Sequence, residues 1–167
     1  LSLTAQQQKK KVLTASSGNH AAALAYTLHK FGGRGVIYLP ENVSPAKVEA
    51  LNPYGVELKF YGHDCIQSET LARKTAAKTD RAFISPYNDS KIIGGQGTIA
   101  IELLRQMDKP DAVLVPVGGG GLISGIAGYL KAVDKNIEII GCQPQNSAVM
   151  HASVQAGKIL ELESKPT

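Results

Sequence analysis

Apolar residues along this chain recur with two periods, and the two alternate almost from end to end. Val12–Ala15 reads as a short strand. Ala21, Leu24, Ala25, Leu28 and Phe31 then fall on one helical face, at i, i+3, i+4, i+7 and i+10. Gly32-Gly33 ends that helix, and Val36-Ile37-Tyr38-Leu39 reads as a buried strand. Ser44-Pro45 is a helix start, a capping hydroxyl followed by proline at the first helical position. Val48 and Leu51 form its apolar stripe, and residues 52–55 stop it. A third strand is expected at 57–61, a helix at 65–79 with Glu69 and Arg73 as an exposed pair, and a fourth strand at 82–85.

Residues 86–95 read as a polar connection and the weakest break in the pattern. Beyond it the spacing predicts a helix through Ile99, Ala100, Leu103, Leu104 and Met107 and a strongly apolar strand at 112–117. A helix at 121–133, a strand at 137–142 and a last helix at 146–157 follow. Strands alternating with helices over short connections imply an α/β fold with parallel sheets and right-handed crossovers. A four-stranded unit is expected before the break and a second α/β unit after it. A ligand would then lie beyond the carboxyl ends of the strands.

Composition narrows the partners. The chain has 167 residues, a net charge of +4 and only 5% aromatic residues, with no Trp. Its lysines are scattered apart from Lys9-Lys10-Lys11, so a nucleic-acid surface is not expected. No apolar run is long enough to span a bilayer, so no membrane partner is expected either. Cys65 and Cys142 are isolated and lack metal-type spacing, which reads as a reducing, cytoplasmic setting.

Two turns carry candidate chemistry. In PVGGGGLISGIAG, residues 116–128, a strand runs into four consecutive glycines and then a helix. Bare backbone N–H groups at a helix N-terminus suit an anion such as phosphate. No Gly-Lys-Ser/Thr follows, so the turn is not a P-loop. Gly125 and Gly128 read as packing positions of the helix on its sheet. Gly95-Gln96-Gly97-Thr98-Ile99-Ala100 fits a G-x-G-x-x-A fingerprint but lacks a clear preceding strand, so a helix start with tight packing competes with a dinucleotide site. The other turn is Ser16-Ser17-Gly18-Asn19-His20. Ser16, Ser17 and Asn19 are good caps for a helix at 20–31, and the same N–H groups suit a carboxylate. His20 at a helix start is more often structural than catalytic.

Three motifs together, SSGNHA at 16–21, GGQGT at 94–98 and PVGGGGL at 116–122, resemble the fold-type II pyridoxal-phosphate (PLP) enzymes, in particular threonine/serine dehydratases and serine racemase. The resemblance covers nearly the whole chain. It implies a tryptophan-synthase-β-like fold, with a small mobile α/β domain over 11–88 and part of the large cofactor-binding domain over 89–167. Residues 1–10 would be an incomplete N-terminal segment. It implies pyridoxal 5'-phosphate as cofactor, with Asn19 bonding the phenolic oxygen and Gly118, Gly119, Gly120, Gly121 and Leu122 cradling the phosphate. Ser16, Ser17, Gly18 and His20 would line the substrate carboxylate pocket, and Ser17 stands where racemases carry an acid/base.

The implied activity of the parent enzyme, expected to be a homo-oligomer, is deamination of L-threonine or L-serine to a 2-keto acid and ammonia. Serine racemase or hydroxyaspartate ammonia-lyase chemistry on the same scaffold is the alternative, and a non-catalytic phosphate- or nucleotide-binding module is a third reading. Three departures stand out. The family's Schiff-base lysine lies in Ser-Phe-Lys-x-Arg-Gly, a motif this sequence lacks, so the chain reads as an internal fragment and is expected to be inactive alone. Gln143 and Val149 stand near the positions where relatives with a divalent-cation site carry acidic residues, so no metal is expected there. Tyr87 stands where serine racemase tends to carry a polar amide, which favours dehydratase.

Overall fold

The computed structural model describes Thr4, Gln7 and residues 9–162. The chain divides between Pro86 and Tyr87 into two units. In the first, β1 (Val12–Ala15), β2 (Gly35–Leu39) and β3 (Glu57–Phe60) form a parallel sheet in that order. Val12 pairs with Gly35 and Val36 with Glu57. β2 is central and buried along its whole length, as expected of a parallel strand covered on both faces.

Its period-two alternation builds two cores. Val36 and Tyr38 join Leu13 and Ala15 against Ala72 and Ala76 of α3 (Cys65–Lys78). Ile37 and Leu39 turn the other way, onto Ala21 and Ala25 of α1 (Asn19–Phe31) and onto Leu51. The small alanines let both helices lie close to the sheet. Between β2 and β3 lie α2 (Pro45–Glu49), entered at Ser44 with proline in its first turn, and a 3₁₀ turn over Asn52–Tyr54.

The fourth strand expected at 82–85 is reduced to one bridge, Leu13 with Phe83. Leu13 donates to Ala82 O, and Ile84 donates back to Leu13 O. Beyond the bridge, Ile84 O accepts from the Thr14 hydroxyl, at 2.7 Å.

The second unit pairs β4 (Ala112–Pro116) with β5 (Glu138–Cys142) in parallel, Ala112 against Glu138. Val115 and Ile137 pack on Ala100 of α5 (Thr98–Gln106) and on Ile126 and Leu130 of α6 (Gly121–Val133). The expected polar connection at 86–95 contains a helix, α4 (Ser90–Gln96). Asp89 caps it by accepting from Lys91 N and Ile92 N, a signal carried by an Asp three residues before an apolar pair. The last expected helix is split into a 3₁₀ turn at Gln145–Ser147 and α7 (Val149–Ala156), which ends at Gly157 with φ +64°.

Gly97 and Gly125 are where the helices of this unit meet. A Cβ on Gly125 would stand 2.3 Å from Ile93 O and 2.7 Å from Gly97 N. Gly125 therefore packs on the α4–α5 junction rather than on the sheet. Gly128 has open space around it and is not a packing position.

Candidate functional site: two strand–glycine–helix turns

The first turn follows β1. Neither serine nor Asn19 caps α1. The N-cap is Gly18, with no side-chain cap hydrogen bond, and Asn19 is the first helical residue. Ser16 Oγ instead accepts from Gly18 N at 3.3 Å. The first-turn N–H groups of a helix have no intrahelical acceptor, so here they are left without a side-chain cap. A Cβ on Gly18 would meet nothing within 4 Å, and Gly18 lies at φ −129°. No neighbouring atom inside this unit requires glycine at that position, whose ψ is −146°.

His20 is turned back toward the sheet. Its Nε2 lies 3.0 Å from Thr14 Oγ1 and 3.3 Å from Ile84 O. Ile84 O can only accept, and the Thr14 hydroxyl hydrogen is directed to that same carbonyl. Nε2 must therefore carry the proton and donate, which assigns the tautomer from the network. The His20 ring anchors the turn to buried Thr14, in keeping with a structural histidine. Ser17 Oγ lies 3.9 Å from Cys65 Sγ, at the start of α3. The Asn19 side chain is exposed, and no hydrogen bond from its amide is formed among the described residues.

The second turn follows β4. Gly120 is the N-cap of α6, in the left-handed region at φ +86°, again with no side-chain cap. That conformation favours glycine. Gly121, buried, opens the helix and Leu122 is its second residue. A Cβ on Gly119 would fall 2.3 Å from Tyr87 Cγ, so the Tyr87 ring packs directly on bare backbone. Gly118 has neither reason to be glycine: its φ is not left-handed and a Cβ would meet nothing within 4 Å. Beside this turn lies an open hollow of about 690 Å³, whose lining includes Gly119, Gly120, Ser124, Gln143 and Met150.

Sequence reasoning noted Tyr87 and Gln143 only as departures from a pattern and did not see their contacts with the turn. Their partners, Gly119 and the Val117 carbonyl, are backbone, and no spacing rule announces a side chain that packs on or bonds to backbone. The Gly95-x-Gly97 fingerprint begins inside the last turn of helix α4 and follows no strand, which removes the context a dinucleotide site needs. Among the described residues no group of three or more His, Cys, Asp or Glu side chains could hold a metal ion. No described helix is long and apolar enough to cross a membrane.

The fold and turns define a class: parallel α/β units in which a strand, a glycine turn and an uncapped helix present backbone N–H groups. The chain belongs to the family of pyridoxal-phosphate-dependent enzymes, whose model matches residues 1–167. It is 42% identical over 162 residues to the serine racemase of Arabidopsis thaliana, covering 97% of this chain and 49% of that protein. It is 37% identical to the biosynthetic L-threonine dehydratase of Pasteurella multocida (strain Pm70), over 96% of this chain and 31% of that one. The structure of the processed form of threonine deaminase isoform 2 from Solanum lycopersicum superposes with a TM-score of 0.88 at 34% identity, covering 99% of this chain and 48% of that one. Maize serine racemase superposes equally well, with a TM-score of 0.88 at 36% identity, over 98% of this chain and 50% of that one. The chain thus spans between 31% and 50% of the length of these relatives. The fold is that of the fold-type II PLP enzymes, and the family's cofactor is PLP.

Proposed function

We propose that this chain supplies the phosphate-holding and carboxylate-holding turns of a PLP-dependent enzyme that deaminates L-threonine or L-serine to a 2-keto acid and ammonia. One observation carries the reading. Gly18 and Gly118 each precede an uncapped helix, and neither is required to be glycine by its neighbours or its φ. Glycine destabilises a chain unless something needs its bare backbone, and a ligand approaching the N–H groups is such a need.

In this reading the N–H groups from Gly118 to Leu122 hold the cofactor phosphate, where the helix dipole adds to them. The Asn19 amide donates to the phenolic oxygen. The N–H groups of the Ser16–His20 turn hold the substrate carboxylate and so fix the orientation of its α-carbon. Bound PLP supplies an electron sink for the charge that develops there. His20 acts by position, since its Nε2–H is committed to Thr14 and Ile84. The unit ending at Pro86 is the small mobile domain, and the unit from Tyr87 is part of the large one. No lysine here stands in a Ser-Phe-Lys-x-Arg-Gly context, so this chain by itself does not turn over substrate. The parent enzyme is a homo-oligomer working in a reducing, cytoplasmic setting.

Serine racemase activity is the second reading. The 42% identity to the Arabidopsis serine racemase favours it, and the Ser17 hydroxyl is then the acid/base on one face of the substrate. One comparison tests both. The parent enzyme with PLP is given L-threonine and L-serine, and keto acid and D-serine are measured separately. Keto acid in excess is expected. D-serine in excess moves the assignment to racemase, and neither product overturns both. Turnover of L-threonine by the isolated chain with PLP would overturn the inactivity of the fragment.

A further inference from the structure

The Gln143 carboxamide lies directly behind the four-glycine turn. Its Nε2 donates to Val117 O at 3.0 Å and approaches Ser147 O at 3.5 Å. Its Oε1 accepts from His151 N at 2.7 Å. Val117 is the residue before Gly118, and its own N–H is held by Cys142 O at 2.9 Å. Both backbone groups at the root of the turn are thereby fixed. His151 is the third residue of α7, a helix whose N-cap Ala148 offers no side-chain cap. Gln143 supplies that cap from eight residues away. Met150 of the same helix end reaches Gly120, where a Cβ would stand 3.5 Å from its Cε. The amide orientation is settled by its partners, because a carbonyl needs a donor and an N–H needs an acceptor.

We propose that Gln143 is a positioning residue for the glycine turn: its carboxamide clamps the Val117 carbonyl to the start of α7 and so fixes where the turn's N–H groups point. The inference rests on the reading of Gly118–Leu122 as a phosphate cradle. A carboxamide suits the position because it donates and accepts at once. An ionised carboxylate could accept from His151 N but would face the Val117 and Ser147 carbonyls with no proton to give.

That difference defines the test. Amide hydrogen exchange is measured on the full chain, and PLP affinity on the parent enzyme, at pH 8 for the unmodified protein, Q143E and Q143M. In Q143E the Val117 amide should exchange about tenfold faster while His151 N–H keeps its protection. In Q143M both should speed up by about tenfold. PLP affinity should fall about tenfold in both, with distant core amides unchanged. Unchanged exchange at Val117 in Q143E overturns the clamp, and unchanged PLP affinity with faster exchange overturns its positioning role. A parent enzyme that binds no PLP, with exchange responding as expected, upholds the clamp and overturns the reading of Gly118–Leu122 as a phosphate cradle. Should both variants fail to fold, the unmodified chain decides: Gln143 side-chain NH₂ protons exchanging at the free-amide rate overturn the clamp, and slowed exchange upholds it.

Discussion

The Tyr87 ring occupies the place of a Gly119 side chain, with Cγ 2.3 Å and Cδ1 2.4 Å from where a Cβ would stand. Gly119 is therefore glycine for a reason internal to its unit, unlike Gly118 beside it. A run of four like residues thus has several causes. Gly119 admits an aromatic ring, Gly120 takes a left-handed φ, and at Gly118 a Cβ would meet nothing within 4 Å.

Gly119→Ala should destabilise the second unit by about 1–3 kcal/mol, the range for overpacking a filled site. Introduced together with Tyr87→Ala, the same change should cost little, because the ring it strikes is gone. A double-mutant cycle in urea reads the coupling between the two. Additive effects would mean that the ring and Gly119 are not in contact.

Gly118→Ala should leave stability unchanged or raise it by about 0.4–1 kcal/mol, since alanine restricts the unfolded chain and meets nothing in the folded one. PLP binding should nevertheless weaken for Gly118→Ala, by tenfold or more. Thermal melting followed by PLP titration checks both halves. A stable variant with intact PLP affinity would remove the observation on which the proposed function rests.

Much of the fold was legible because its signals are local. The buried run Val36–Leu39, the helix whose stripe begins at Ala21 and Ala25 and the stops at Gly32 and Gly157 sit where the pattern placed them, while Phe31 at the end of that stripe is 63% exposed. What failed was decided by contacts distant in sequence. The strand at 82–85 is reduced to one bridge, and its Ile84 O accepts from Thr14, 70 residues earlier. The serines at 16 and 17 suit capping by type, yet the backbone placed Gly18 at the cap. Helix α4 is short and rich in glycine, so its propensity is poor, and Asp89 compensates at its start.

Glu57 should report on acid stability. The hydrogen bond from Lys11 Nζ, at 2.5 Å, holds its carboxyl below the usual carboxylate range, and the charges of Lys11, Lys59 and Arg81 act the same way. Because the folded value is the lower one, the contribution is present above the unfolded pKa and is lost as pH falls through the folded value. Lys11→Met should move the Glu57 titration upward, as read by NMR of its side-chain carboxyl. The acid limb of stability should become shallower. Both partners are 39% exposed, so the stability change should stay within about 1 kcal/mol. A Glu57 titration that does not move would show that Lys11 is not its partner in solution.

Thr14 and His20 together hold the turn after β1 to the sheet, and the two hydrogen bonds can be separated. Thr14→Val keeps shape but removes the hydroxyl that donates to Ile84 O and accepts from His20 Nε2. The cost should be about 1–2 kcal/mol, since a fully buried polar link is lost while Ile84 O keeps the His20 ring as donor. Thr14→Ser retains the hydroxyl and should recover much of the loss, less the missing methyl. Nitrogen-15 shifts of the His20 ring should report the Nε2–H tautomer at alkaline pH in the unmodified chain and in Thr14→Val alike, because Ile84 O accepts in both. A ring found as Nδ1–H would be incompatible with a neighbour that can only accept. The turn would then have to be held by other contacts, and His20 would return as a candidate base.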